Sequence, residues 1–96
     1  MNLELLNHAL ASFRRLDPNK SMMLSWFQVF GIVAKKEGLS VGEISKLSDL
    51  AASTTGKALA ANVDLGLIVQ REGHSGRVIE SYLTIKGKGF ISKITS

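Results

Sequence analysis

The sequence predicts a small α+β fold, mainly helical, with one β-hairpin. Ser40 and Glu43 carry the capping-box spacing, in which each side chain satisfies a backbone amide of the other at a helix start. A helical spacing over about 52–65 then ends at Gly66, a residue typical of the position after a helix. Two strand-like runs over about 67–83 flank the polar tip E-G-H-S-G. Two helices, a tight turn between them and a hairpin together predict a winged helix-turn-helix fold.

The N-terminal segment, over about 3–16, predicts an amphipathic first helix that ends before Pro18. Its apolar stripe comprises Leu3, Leu6, Leu10 and Phe13. This stripe either packs entirely on its own domain, or it also forms half of a dimer interface. The chain has 96 residues, which suits one domain over 1–96.

A second helix is predicted from Ser25 to about Lys36, because Ser25 and Gln28 repeat the capping-box spacing. Apolar residues cover most of its circumference, which indicates a central position in the core. Trp26 could line a ligand pocket, but core packing is the favoured interpretation. Gly38 is expected to end this helix.

The predicted helix-turn-helix spans about 40–65, with Asp49 in its turn. In the second helix, the inward residues are expected to be Thr55, Leu59 and Val63. The outward side then carries Ser53, Thr54, Gly56 and Lys57. Asn62 leaves two alternatives open: either it is buried with a hydrogen-bond partner, or the helix rotates slightly and brings Val63 inward.

The hairpin is expected to form the wing over about 67–83, and Thr84 should cap a short final helix over about 85–95. Phe90, Ile91 and Ile94 are the apolar anchors of that helix.

Several classes of function lack their sequence signals. The chain contains no cysteine, and its two histidines, His8 and His74, lie far apart, so neither a disulfide nor a metal site is predicted. Nucleophile-elbow and phosphate-loop motifs are missing, so we expect neither catalysis nor a cofactor. The most apolar stretch, 24–34, is too short to span a membrane, and no signal peptide is recognisable, so a cytoplasmic location is expected.

The charge is uneven along the chain. The formal net charge is +4, of which residues 1–50 contribute +1 and residues 51–96 contribute +3. The positive excess therefore lies in the second half of the helix-turn-helix, the wing and the tail. A basic surface attracts polyphosphate through counterion release, although solubilising surface charge would give the same total.

Four segments resemble the MarR family of bacterial transcription regulators over about Ser25 to Gly89. They are S-T-T-G-K at 53–57, G-L-I-V-Q-R at 66–71, Arg77, and L-T-I-K-G at 83–87. Three positions depart from the family pattern: Ser75 replaces an aspartate of the wing, Ser48 stands at a usually apolar position, and Asn62 replaces a usually buried leucine.

The resemblance implies a regulator that binds double-stranded DNA. The outward residues Ser53, Thr54, Gly56 and Lys57 would then face the major groove. In the wing, Arg77 would enter the minor groove, or alternatively pair with Glu80 or Glu72. Arg71 is expected at a phosphate, and His74 and Ser75 belong to the wing tip, where a protonated His74 could touch a phosphate.

The resemblance also implies a homodimer formed through the terminal helices. Both ends of this chain are short, which leaves little material for the small-molecule effector pocket of that family. The second hypothesis is a winged helix that docks a protein partner without sequence-specific DNA binding. The scarcity of Arg, Asn and Gln on the outward face of the second helix favours this alternative, and the basic second half opposes it.

Overall fold

The computed structural model describes residues 3–17, 23–73 and 78–95. It confirms the predicted fold class: helices enclose an apolar core, and a small antiparallel sheet forms the wing. The helices are α1 (Leu3–Arg15), α2 (Leu24–Lys35), α3 (Val41–Ser48), α4 (Ala52–Asp64) and α5 (Ile85–Thr95). The strands are β1 (Leu39–Ser40), β2 (Ile68–Glu72) and β3 (Ile79–Leu83).

The sheet has the order β1-β3-β2, and both pairings are antiparallel. Residues Ile68 and Leu83 face each other at the base of the hairpin, and Glu72 faces Ile79 near its tip. Strand β1 pairs Leu39 with Ser81, a contact that the sequence analysis did not predict. This short strand ties the start of α3 to the wing.

Helix α2 is central, as its all-round apolar pattern predicted. Val29, Phe30 and Val33 have exposed fractions of 1% or less. Its predicted start is wrong, however. The helix begins at Leu24 after Met23, no side-chain cap forms there, and Gln28 donates instead to the Ser48 carbonyl oxygen at 2.8 Å. The glutamine amide therefore joins α2 to α3.

Helix α1 packs on its own domain through an aromatic cluster. The ring of Phe13 lies 5.3 Å from that of Phe27, 5.6 Å from that of Phe30 and 5.9 Å from that of Phe90. Phe90 and Ile94 of α5 are buried in this same core, in agreement with their predicted role as apolar anchors of the helix.

The predicted stripe of α1 is only partly buried. Phe13 is fully buried and Leu6 and Leu10 are half-buried, but Leu3 has an exposed fraction of 75%. The first turn of α1 therefore extends beyond the core.

Helix α5 begins with the cap that the sequence predicted. Thr84 accepts a hydrogen bond from the Gly87 amide at 2.9 Å, and its own amide donates to the Leu67 carbonyl oxygen at 3.1 Å. These contacts fix α5 against the residue that leads into β2.

Candidate nucleic-acid interface

The first half of α4 presents a polar surface to solvent. Ser53, Thr54 and Lys57 are exposed, and Gly56 is half-buried with open space where a Cβ would lie. The neighbouring Thr55 is fully buried, and its hydroxyl donates to the Ala51 carbonyl oxygen at 3.0 Å. The structure therefore brings together the four α4 residues that the sequence placed on the outward side.

The start of α4 differs from the start of α3 in how its amides are satisfied. Helix α3 has a complete capping box: the Ser40 amide donates to Glu43 at 3.0 Å, and the Glu43 amide donates to the Ser40 hydroxyl at 3.2 Å. The pKa of Glu43 is lowered, first by the hydrogen bond that its carboxylate accepts from the Ser40 amide and then by a hydrogen bond with the Ser40 side chain.

Helix α4 begins after Ala51, and within the described part of the chain no side chain caps it. The free amides of its first turn can therefore donate hydrogen bonds to an anionic partner such as a phosphate.

The turn between α3 and α4 is held by serine hydroxyls. Ser48 donates to the Ser45 carbonyl oxygen at 3.2 Å and accepts from the Leu50 amide at 3.3 Å, while Ser45 donates to the Leu50 carbonyl oxygen at 2.6 Å. Asp49 occupies the left-handed region with φ of 59°. Ser48 thus has a polar role at a position where the family pattern has an apolar residue.

The inward side of α4 differs from the predicted one. It consists of Thr55, Ala58, Leu59 and Asn62, whereas Val63 is 39% exposed. The expectation for Val63 is therefore wrong, and Asn62 takes the alternative in which it is buried with hydrogen-bond partners. Its Nδ2 donates to the Ala58 carbonyl oxygen at 2.8 Å and to the Trp26 carbonyl oxygen at 3.1 Å.

The end of α4 is held by hydrogen bonds from two residues at the start of α5, Thr84 and Lys86, which the sequence did not predict. Gly66 has φ of 78°, which confirms it as the residue after the helix. Its carbonyl oxygen accepts a hydrogen bond from the Thr84 hydroxyl, and the Leu65 carbonyl oxygen accepts one from Lys86 Nζ at 2.7 Å. A lysine at a helix C-terminus also complements the helix dipole.

Toward the tip of the wing, Arg71 is exposed and faces Glu80 across the hairpin, next to the pair Glu72–Ile79. Its guanidinium carbon lies 5.5 Å from the centroid of the Tyr82 ring, within cation–π range. The Tyr82 hydroxyl donates to Glu80 Oε1 at 2.8 Å, and this bond is the main reason that the pKa of Tyr82 is raised.

The remaining wing candidates, His74, Ser75 and Arg77, lie outside the described residues. Their roles, like those of Ser53, Thr54, Gly56, Lys57 and Arg71 toward DNA, stay predictions.

The described residues contain neither a metal-binding cluster nor a membrane-spanning helix. Within 3–17, 23–73 and 78–95, no group of three or more His, Cys, Asp or Glu side chains is arranged to hold a metal ion. Among the helices of the same residues, none is both long enough and apolar enough to cross a bilayer.

Comparison with known proteins places the fold. No family model and no curated protein matches the sequence. Among solved structures, the chain is similar to the Staphylococcus aureus MepR–DNA complex, with 18% identity, a TM-score of 0.78, and coverage of 96% of this chain and 73% of that one.

Two other solved structures are similar to this chain over most of its length. RV1404 from Mycobacterium tuberculosis has 18% identity and a TM-score of 0.77, over 95% of this chain and 61% of that one. A MarR transcriptional regulator from Methanosarcina mazei Go1 has 17% identity and a TM-score of 0.73, over 96% of this chain and 67% of that one.

This chain thus spans about three fifths of the length of RV1404. The agreement extends over nearly all of this chain and includes the helix-turn-helix and the wing. The protein therefore has a MarR-like winged-helix fold.

Proposed function

We propose that this protein is a transcriptional regulator that binds double-stranded DNA, with the first half of α4 in the major groove. The observation that carries the proposal is the start of α4. It combines exposed Ser53, Thr54 and Lys57 with a first turn that no described side chain caps, while the opposite side of the helix is buried. Hydroxyls, a lysine and free amides are the groups that bind phosphates and base edges.

The fold supports the same proposal. One similar structure is the MepR–DNA complex, and another is a MarR transcriptional regulator. The wing would add a second contact, with Arg77 in the minor groove and Arg71 at a phosphate. Because the α4 surface has few strong base-reading side chains, DNA shape would supply much of the selectivity.

Two further parts of the proposal concern assembly and context. A homodimer would place two α4 helices on one duplex, so its binding site would be approximately palindromic. A regulator of this kind is not an enzyme and acts in the cytoplasm.

The second candidate function is a protein-docking winged helix. It is favoured by the composition of the exposed first half of α4, where the side chains are small and Lys57 is the long cationic one. DNA binding and protein docking differ in their response to salt, because only the former releases counterions from the duplex.

The experiment is a titration of a random-sequence duplex at several salt concentrations with the wild-type protein, Lys57→Ala and Lys88→Ala. Lys88 is an exposed lysine on α5, so its loss changes the net charge equally but removes nothing from α4. We expect Lys57→Ala to weaken binding and to reduce the salt slope by about 1, as loss of one phosphate contact does. Thr54→Ala should lose less DNA affinity than Lys57→Ala.

The unfolding of both lysine variants should match that of the wild type, since an exposed cation contributes little to stability. Equal losses in Lys57→Ala and Lys88→Ala would contradict the major-groove assignment of α4. Absence of salt-dependent binding by the wild type would favour the docking module.

A further inference from the structure

Asn62 is a fully buried polar residue on the helix that carries the candidate DNA contacts. Its exposed fraction is 0%. Its Nδ2 donates one hydrogen bond within α4, to Ala58, and one across to Trp26 in the first turn of α2. The side chain therefore connects α4 to the central helix of the core.

The orientation of this amide follows from its partners. Both are carbonyl oxygens, which accept hydrogen bonds, so the nitrogen and not the oxygen must face them. The two bonds use both Nδ2 protons. Asn62 Oδ1 is buried and has no hydrogen-bond partner among the described residues.

A buried acceptor without a partner destabilises the folded state. Leucine, which has a similar volume and no polar atom, would avoid this cost at position 62. Asparagine is therefore a poor choice for stability alone, and what it adds is a directional contact.

A directional contact matters here because the apolar residues on the inward side of α4 fix the orientation of the helix only weakly. Ala58 and Leu59 make apolar contacts, which tolerate small rotations and shifts of a helix. A hydrogen bond to a fixed carbonyl oxygen tolerates them far less. In some systems a buried polar residue selects one packing arrangement at a cost in stability.

We propose that Asn62 is a positioning residue that sets the rotation and axial position of α4 against α2. It would thereby hold Ser53, Thr54 and Lys57 in the geometry required for the groove. The effect on DNA binding rests on the proposed function, whereas the positioning of α4 rests on the hydrogen bonds of Asn62.

The test compares Asn62→Leu with Leu59→Val, a core variant on the same helix that removes a methylene without changing any hydrogen bond. We expect Asn62→Leu to unfold at the same or a higher temperature than the wild type. It should nevertheless bind duplex DNA about fivefold more weakly or worse, the loss expected when one specific DNA contact of α4 is misplaced. Leu59→Val should unfold at a lower temperature and keep wild-type affinity while folded.

If Asn62 contributed only to stability, its substitution would change the unfolding temperature and the DNA affinity in the same direction. Wild-type affinity in Asn62→Leu would overturn the proposal. So would a joint loss of stability and affinity, because that result would make Asn62 an ordinary core residue.

A second measurement separates this proposal from the proposed function. Backbone amide chemical shifts of free Asn62→Leu should change at Ser53 and Thr54, which lie more than one helical turn from both substitutions, and Leu59→Val should leave them largely unchanged. If the wild type binds no duplex, the DNA-binding function fails, and these shifts alone decide whether Asn62 positions α4. Unchanged shifts at Ser53 and Thr54 in Asn62→Leu would overturn the positioning role.

Discussion

At the residue scale, two glycines of α5 lie in opposite surroundings. A Cβ added to Gly87 would overlap the Leu67 carbonyl oxygen, a backbone atom that cannot swing away. At Gly89, apart from its chain neighbours and the adjoining backbone of its own helix, no atom lies within 4 Å of the corresponding position. We expect Gly87→Ala to lower the free energy of unfolding by about 1–3 kcal/mol through overpacking. Urea unfolding followed by circular dichroism measures this change.

The matched control is Gly89→Ala, in the same helix. Because alanine is the better helix former and has room there, this variant should gain up to about 1 kcal/mol. Loss of stability of similar size in both variants would show that the close approach of α5 to Leu67 is not what requires Gly87.

Gly56 gives a prediction that separates folding from binding. It has the same open space as Gly89 but lies on the candidate DNA surface of α4. Gly56→Ala should therefore stabilise the protein by up to about 1 kcal/mol. It should weaken DNA binding if the backbone of α4 approaches the groove closely. Gly89→Ala should show the same gain in stability with unchanged affinity, and equal affinity in both variants would argue against a close approach at Gly56.

Single residues also show where sequence reasoning reaches its limit. Gly66 was predictable because a glycine after a helical pattern suits the left-handed conformation, which the φ of 78° confirms. The choice between Asn62 and Val63 was not predictable, because both positions fall near the edge of the same apolar stripe. The deciding interaction is the bond from Asn62 to Trp26, a partner 36 residues away.

At the scale of elements, the cap of α3 predicts a dependence of stability on pH. Hydrogen bonds from Ser40 hold the pKa of Glu43 below its usual 4.5 in the folded protein. A lowered folded pKa means that the charged cap stabilises the protein above the unfolded pKa, and that this contribution is lost as the pH falls through the folded pKa.

The variant Glu43→Gln isolates this contribution, because glutamine can still accept the Ser40 amide bond but does not titrate. On going from neutral pH to below 4.5, the free energy of unfolding of the wild type should fall more steeply than that of Glu43→Gln. Parallel curves for the two proteins would show that the charge of Glu43 contributes nothing.

The wing carries a prediction of its own, which concerns Arg77. A narrow A·T-rich minor groove has enhanced negative potential, so an inserted guanidinium gains binding energy there. Arg77→Ala should cost about 1–3 kcal/mol of DNA binding, mainly on sites with A·T-rich flanks, and Arg77→Lys should restore only part of it because an ammonium is more strongly hydrated. Affinity on duplexes with different flanks measures both effects.

Glu80→Ala is the control for the alternative in which Arg77 pairs with Glu80. Glu80 already accepts a hydrogen bond from the Tyr82 hydroxyl, so its loss should disturb the hairpin and lower the melting temperature. If Arg77→Ala lowers the melting temperature equally, and its affinity falls only through unfolding, the minor-groove contact is contradicted.

Elements differ in how far the sequence determines them. The hairpin and α4 have local signals of their own: glycines at the turn and a regular helical spacing. Strand β1 comprises Leu39–Ser40, too short for any alternation to be visible, and it exists because the returning strand β3 lies beside it. The start of α2 was misassigned because Gln28 pairs with Ser48 of α3, a tertiary contact that local spacing does not reveal.

At the scale of the whole molecule, the apolar surface left outside the core constrains the proposed assembly. On α1, Leu3 is 75% exposed and Leu5 is 46% exposed, while Phe13, Phe90 and Ile94 are buried within the chain. A dimer formed through α1 must therefore use the first turn of this helix rather than the aromatic cluster. Burial of such side chains against a second copy is worth about 1.5–3 kcal/mol each when complete.

We expect the wild type to sediment as a dimer at micromolar concentration, and the double variant Leu3→Ser with Leu5→Ser to sediment as a monomer with an unchanged fold. On a palindromic duplex with half-sites about one helical turn apart, the double variant should bind more weakly, because it loses the joint contribution of two linked α4 helices. On an isolated half-site, the wild type and the double variant should have the same affinity.

Leu47→Ser, which removes a leucine 63% exposed on α3, controls for the loss of an apolar surface residue and should remain dimeric. A wild type that stays monomeric at high micromolar concentration, and binds the palindrome one copy at a time, would refute a dimer formed through the first turn of α1.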